Sequence, residues 1–320
     1  MNRLLPPGAL PNTLWSANTN TLLIPQQLAR PYCELLRKRN LETEAISRDK
    51  NDSPTGGPGR ARTDDHLARA FDGSVARVCL SLLDPLAQLG HSSNAIVSAF
   101  SSGRLVLADS PCGAGAASLG ILAAIAELRA QSVLPREPLS VHLIGAEISA
   151  EAREYAAQLL DDARASFERE AILVTAEWMH WDATEKESTT RLVTRLLQCM
   201  DGRARRLITI ANFNAALEKE GKRKDASPQL EELMRYANSP GSAVVWIEPQ
   251  MNTVTQQLFP WVAAQVSKAW KWFAQLLGDD NPGSTWYKSE AKFVRPIDPS
   301  KTLDVRAAVM VIKLGYNASH

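Results

Sequence analysis

The stretch LVLADSPCGAGAASLG, residues 105–120, decides the fold. An apolar run ends in Asp109. A turn with Gly113 and Gly115 follows, and small residues then lead into a helical pattern. Glycine lets a backbone approach a ligand without an intervening Cβ. The free N–H groups of the next helix point at the same place.

Working outward, further apolar runs repeat the first: 140–147, 171–178, 206–212, 243–249 and 306–314, with a weaker one at 291–297. Helical patterns over 117–131, 149–170, 187–201, 227–238 and 254–277 lie between most of them. Near-continuous apolar strands alternating with helices predict a buried parallel sheet. The last two runs have no helix between them and predict a hairpin. The expectation is a three-layer α/β sandwich with a mostly parallel seven-stranded sheet and a C-terminal antiparallel strand. Residues 64–320 make this domain, and TDDHLARAFDGSVARVCLSLLDPLAQLG, residues 63–90, has helical spacing with Thr63 or Asp64 as a candidate N-cap. Residues 1–63 form a peripheral N-terminal arm, whose Gly/Pro-rich end SRDKNDSPTGGPGRART predicts a flexible linker.

Composition narrows the function. Of 320 residues, 45% are hydrophobic, ample for a sizeable core, and the net charge of +1 gives no global pull toward nucleic acid or membrane. Signal-peptide patterning and apolar runs of membrane-spanning length are absent, so a cytoplasmic protein is expected. The four cysteines form no CxxC pair and the five histidines no ligand spacing, so no metal is implied. His142 reads as a core histidine. Cys112, at a helix start, is a site where a thiol pKa would fall.

Two ligands compete for the glycine turn. Gly113-Ala114-Gly115-Ala116-Ala117-Ser118 nearly fits the dinucleotide fingerprint GxGxxG. Asp109 would repel a pyrophosphate, however, and suits a ligand carrying positive charge. The order of acidic strand ends, Asp109 with its turn, Glu147 after the second run and Asp182 after the third, resembles the class I S-adenosylmethionine-dependent methyltransferases over roughly 64–314. That resemblance implies S-adenosyl-L-methionine as cofactor, held by Asp109, Pro111, Gly113 and Gly115 around its methionine part. It implies Glu147 at the ribose, Ile148 on the adenine face, and Asp182 with Ala183 near the adenine amino group. Asn212, after the fourth strand, would face the methyl acceptor. The Pro-Pro-aromatic motif of enzymes that methylate base amino groups is missing from Asn212-Phe213-Asn214.

The basic residues Arg203, Arg205, Arg206, Lys219, Lys222, Arg223 and Lys224 cluster within 203–224 and lean the acceptor toward nucleic acid. The alternative is a non-catalytic module of the same fold that binds nucleic acid or a protein partner. Trp261 and Trp272 share one face of the 254–277 helix, a surface for the rest of the chain or for a second subunit in an oligomer.

Overall fold

Side-chain alternation along the apolar runs builds the layers. In β3 (Arg104–Asp109), Leu105 and Leu107 point to one face while Val106 and Ala108 point to the other. In β7 (Ser242–Pro249), Ala243, Val245 and Ile247 are divided in the same way from Val244 and Trp246. Both faces are covered, so the positions between the strand ends, 105–108 and 243–247, are all apolar. The computed structural model describes residues 2–47, 54–199, 204–236, 242–250 and 286–314.

One core packs α1 (Gln26–Lys38), α4 (Phe71–Leu83), α6 (Ala116–Ala130) and α7 (Ala150–Arg169) on the first face. The other packs α8 (Lys186–Gln198), α9 (Asn214–Lys219) and α10 (Arg223–Tyr236) on the second. Helix α6 is buried on all sides and accordingly apolar all round.

Strands β4 (Leu139–Glu147) and β5 (Ile172–His180) lie parallel on one side of β3. On its other side lie β6 (Arg205–Ala211) and then β7, also parallel. The chain therefore reverses direction across the sheet at β3, and a crevice opens there beyond the strand C-termini. β9 (Thr302–Leu314) joins antiparallel between β7 and β8 (Trp286–Val294). All seven expected strands are present.

The N-terminal region departs from the expected peripheral arm. β1 (Trp15–Ser16) and β2 (Thr21–Leu23) extend the sheet to nine strands, with β2 parallel to β8. Leu14, Leu22, Leu28, Tyr32, Leu35 and Leu36 are buried in the first core. The apolar stripe of α1 covers α6 and α7, so this segment seals a helical layer. The helical spacing of 63–90 is realised as two helices: α3 (Arg60–Arg69), which starts before either expected cap, and α4 after a break at Ala70. Between α4 and β3 lies α5 (Gly90–Phe100). The helix expected over 254–277, with Trp261 and Trp272, lies outside the described residues.

An ion pair buried on both sides joins three parts of this assembly. Arg295 Nε donates to Asp72 Oδ2 at 2.8 Å, and its Nη1 donates to the Ala45 carbonyl at 2.6 Å. Removing one partner strands a charge in the core. Asp72→Ala and Arg295→Met should each cost about 3–5 kcal/mol in urea unfolding, and the double variant less than their sum.

Candidate active site

The turn after β3 is shaped by two left-handed glycines. Gly113 has φ +52 and open space where a Cβ would stand; at Gly115, φ +84, a Cβ would sit 2.9 Å from Leu119 Cδ1. Gly113 thus presents bare backbone to the crevice, whereas Gly115 lets α6 start close to its own first turn.

A single cavity opens at this crevice. Pro111, Gly113, Glu147, Ile148, Asp182, Ala183 and Asn212 all line it. Asp109 and Gly115 do not line it. The Asp109 side chain turns beneath the loop, where Oδ2 accepts from the Ser118 amide at 3.0 Å and Oδ1 from Thr209 Oγ1 at 2.9 Å. It is fully buried, and loss of hydration pushes its pKa from 3.8 up to about 6, partly offset by those hydrogen bonds.

Glu147 ends β4 and holds the loop in place. Its Oε2 accepts from the Gly113 amide at 3.1 Å and its Oε1 from the Ser149 amide at 3.0 Å. Burial raises its pKa against those two amides. Asp182 follows β5. Its Oδ1 accepts from the amide and hydroxyl of Thr184 at 2.8 and 2.7 Å, a turn that fixes the carboxylate at the cavity wall. Beside it, Trp181 is buried with its ring 5.9 Å from that of Phe213.

The opposite wall comes from the segment read as a flexible linker. Gly56, Gly57, Pro58, Thr63 and His66 line the cavity. Thr63 Oγ1 lies 2.9 Å from Ser149 Oγ at the start of α7. On the other flank, Arg62 Nη2 donates to Gly56 O at 2.9 Å and to Glu220 Oε1 at 3.1 Å. The strap therefore crosses between α7 and the end of α9. Its glycines signalled close backbone approach, but their composition is also that of a linker.

Asn212, just beyond β6, lines the cavity in a left-handed conformation, φ +56. Arg77, reaching from α4, donates Nη1 to Asn212 Oδ1 and Nε to the Arg306 carbonyl, the latter at 3.0 Å. Glu248, buried at the end of β7, accepts from the Phe213 and Asn214 amides at 3.2 and 3.0 Å and from Trp246 Nε1 at 2.7 Å. Its pKa is raised by burial.

Other expectations change. Burial, reinforced by the charges of Asp109 and Glu147, pushes the Cys112 thiol well above its usual value, so Cys112 is no activated nucleophile. Several of the basic residues of 203–224 are buried or already engaged. Arg206 is buried in the core, Arg205 Nη1 donates to Ser98 O at 2.5 Å, Lys222 pairs with Glu220 at 2.9 Å and Arg223 with Glu218 at 2.9 Å. Neighbouring strand residues point to opposite faces, which disperses the charge; Arg203 lies outside the described residues. His142 is half-buried between Thr175 and Glu177. The ligand atoms of His142, Glu177 and Cys199 lie within 4.8 Å of one another, but Arg195 donates to both oxygens of Glu177.

No family model and no curated protein matches the sequence. Among solved structures, the chain is similar to a SAM-dependent methyltransferase from Agrobacterium tumefaciens, with 13% identity over 70% of this chain and 61% of that one, at a TM-score of 0.37. A putative class I S-adenosylmethionine-dependent methyltransferase from Listeria monocytogenes matches with 10% identity over 92% and 90% of the two chains, at 0.39. Human N-acetylserotonin methyltransferase, solved in complex with SAM, matches with 13% identity over 88% and 68%, at 0.30. The described strand order, with β9 reversed, is that of a Rossmann-like α/β sheet. At such identities the chemistry must be read from this chain's own residues.

The raised pKa of Asp109 has a measurable sign. Between about pH 4 and 6 the folded state binds more protons here than the unfolded state, so this group's contribution to stability falls as pH rises through that window. Asp109→Asn lacks the titration. Relative to wild type it should gain about 2–3 kcal/mol between pH 4 and 7, measured by urea unfolding across that range. A pH-independent difference would show that Asp109 titrates normally.

Proposed function

We propose that the protein is an S-adenosylmethionine-dependent methyltransferase. The observation carrying this reading is that Glu147, Asp182 and the Gly113 turn meet in one cavity at the point where the sheet reverses. The cavity suits an adenosyl ligand bearing a cation. Among its described lining residues, Lys222 is the one lysine or arginine, and Glu220 already engages it. A pyrophosphate would meet carboxylates there instead of a cation.

Glu147 would hold the ribose hydroxyls through the lone pairs left by the Gly113 and Ser149 amides. Asp182 would accept from the adenine amino group, with Ile148 and Ala183 against the ring. The open face of Gly113 leaves room for the methionine part. Asp109 acts from beneath by fixing the turn. When bound, the cofactor supplies an electrophilic methyl group on a sulfonium. The chain's contribution is alignment and the exclusion of water by the strap and by the Trp181–Phe213 wall.

Calorimetry with S-adenosylmethionine, S-adenosylhomocysteine and NAD tests this. The two adenosyl compounds should bind and NAD should not. Glu147→Gln and Asp182→Asn should each weaken adenosyl binding by roughly 10–100-fold, the scale of one hydrogen bond to a charged group. Unchanged affinity in both variants would remove the assignment.

A further inference from the structure

The polarity of the Asn212 amide says what kind of group can stand opposite it. Arginine has five N–H donors and no acceptor, so the atom that meets Arg77 Nη1 must be Oδ1. The amide is thereby fixed, and its N–H2 end is the one left over. Nδ2 donates to no group among the described residues, and Asn212 lines the cavity. The backbone cannot swing to reverse this. Glu248 grips the next two amides, Phe213 and Asn214, and the Asn212 amide itself donates to the Ile247 carbonyl at 2.9 Å. Arg77 is in turn anchored on the Arg306 carbonyl.

A methyl acceptor beside Asn212 therefore meets an N–H donor backed by a guanidinium cation. An amino group would set its N–H donors against those of Nδ2, leaving it only the lone pair of Oδ1 that Arg77 does not use. A carboxylate instead offers two oxygens, one to accept from Nδ2 and the other free to attack.

We infer that the methyl acceptor is a carboxylate, selected by the Asn212 amide that Arg77 orients. This inference rests on the methyl-transfer reading and deepens it by naming the acceptor class. The step balances without a base. One carboxylate oxygen supplies the electron pair of the new C–O bond. The C–S bond breaks with its pair left on sulfur, which becomes a neutral thioether. No proton moves, and the product is a methyl ester. Asn212 is the residue that touches the acceptor, and Arg77 is a positioning residue acting through it.

The test separates the two readings. Calorimetry with S-adenosylhomocysteine comes first, and failure to bind sinks the methyl-transfer reading itself. The loaded protein is then titrated with benzoate and with benzylammonium, probes of similar size and opposite polarity. Benzoate should bind at least tenfold more tightly. Asn212→Asp, which tolerates the left-handed backbone and keeps a partner for Arg77, should abolish or invert that preference while S-adenosylhomocysteine affinity stays within about twofold. Arg77→Met, which frees the amide to turn, should reduce the preference as well. Benzylammonium binding as tightly as benzoate, neither probe binding, or a benzoate preference untouched by Asn212→Asp overturns the inference.

A label experiment distinguishes the sources of the carboxylate. Methyl-labelled S-adenosylmethionine is incubated with the protein and either the small-molecule or the macromolecular fraction of a cell extract. Label released as methanol by mild alkali from one of them is expected. Label that resists alkali in both, as on nitrogen, or no transfer to either, overturns the inference.

Discussion

The arrangement rests on a carboxylate that never sees water. Asp109 sits between the start of α6 and the middle of β6, taking a backbone amide from one and a hydroxyl from the other. Burying a carboxyl costs free energy, and two hydrogen bonds only partly offset it. In return the first turn of α6 is held at a fixed height above the sheet. The Gly113 turn, the Glu147 contact to it and the floor of the cavity all follow from that height. Asp109 belongs to the foundation of the site, and the ligand's own contacts are left to its neighbours.

Three buried acids, Asp109, Glu147 and Glu248, stand at the C-terminal ends of three parallel strands, and each accepts from backbone amides. Backbone N–H groups satisfy these carboxylates without bringing a competing cation into the cavity. Charge pairing is kept to the rim, where Arg62 and Lys222 share Glu220. Two guanidinium groups stand behind the cavity wall: Arg153, bonded to the Glu147 and Ile148 carbonyls, and Arg77, bonded to the Asn212 side chain. The two ends differ in what the cation meets: backbone carbonyls at Glu147 and Ile148, a side-chain amide at Asn212.

Much of the sheet is legible in the sequence because its strands are local apolar runs covered on both faces. The acidic strand ends are legible for the same reason: Glu147 and Asp182 follow directly on such runs. What escapes is direction and distance. A carboxylate beside a glycine turn reads the same whether it points up to a ligand or down to Ser118, so the position of Asp109 was visible and its orientation was not. The strap glycines at 56 and 57 carry the composition of a linker, and only their neighbours Ser149 and Glu220, far away in the chain, give them a place. The arm fails to declare itself because β2 and β8 satisfy each other only after folding. The pairing within the cationic stretch escapes because strand alternation and nearby acids are invisible to a simple count of charges.

The pairing of Thr21 with Lys292 and of Leu23 with Val294 has a consequence during synthesis. β2 leaves the ribosome well before β8 and finds its neighbour only once that strand has emerged. Until then Leu14 and Leu22 lack their final shelter, and the open edge of the ribbon is available to other chains. Closure must bridge the long stretch of chain between Leu23 and Lys292, so this gain in order comes late and at high entropic expense. A nascent chain of this design depends on how long that first hairpin is kept out of reach of its neighbours.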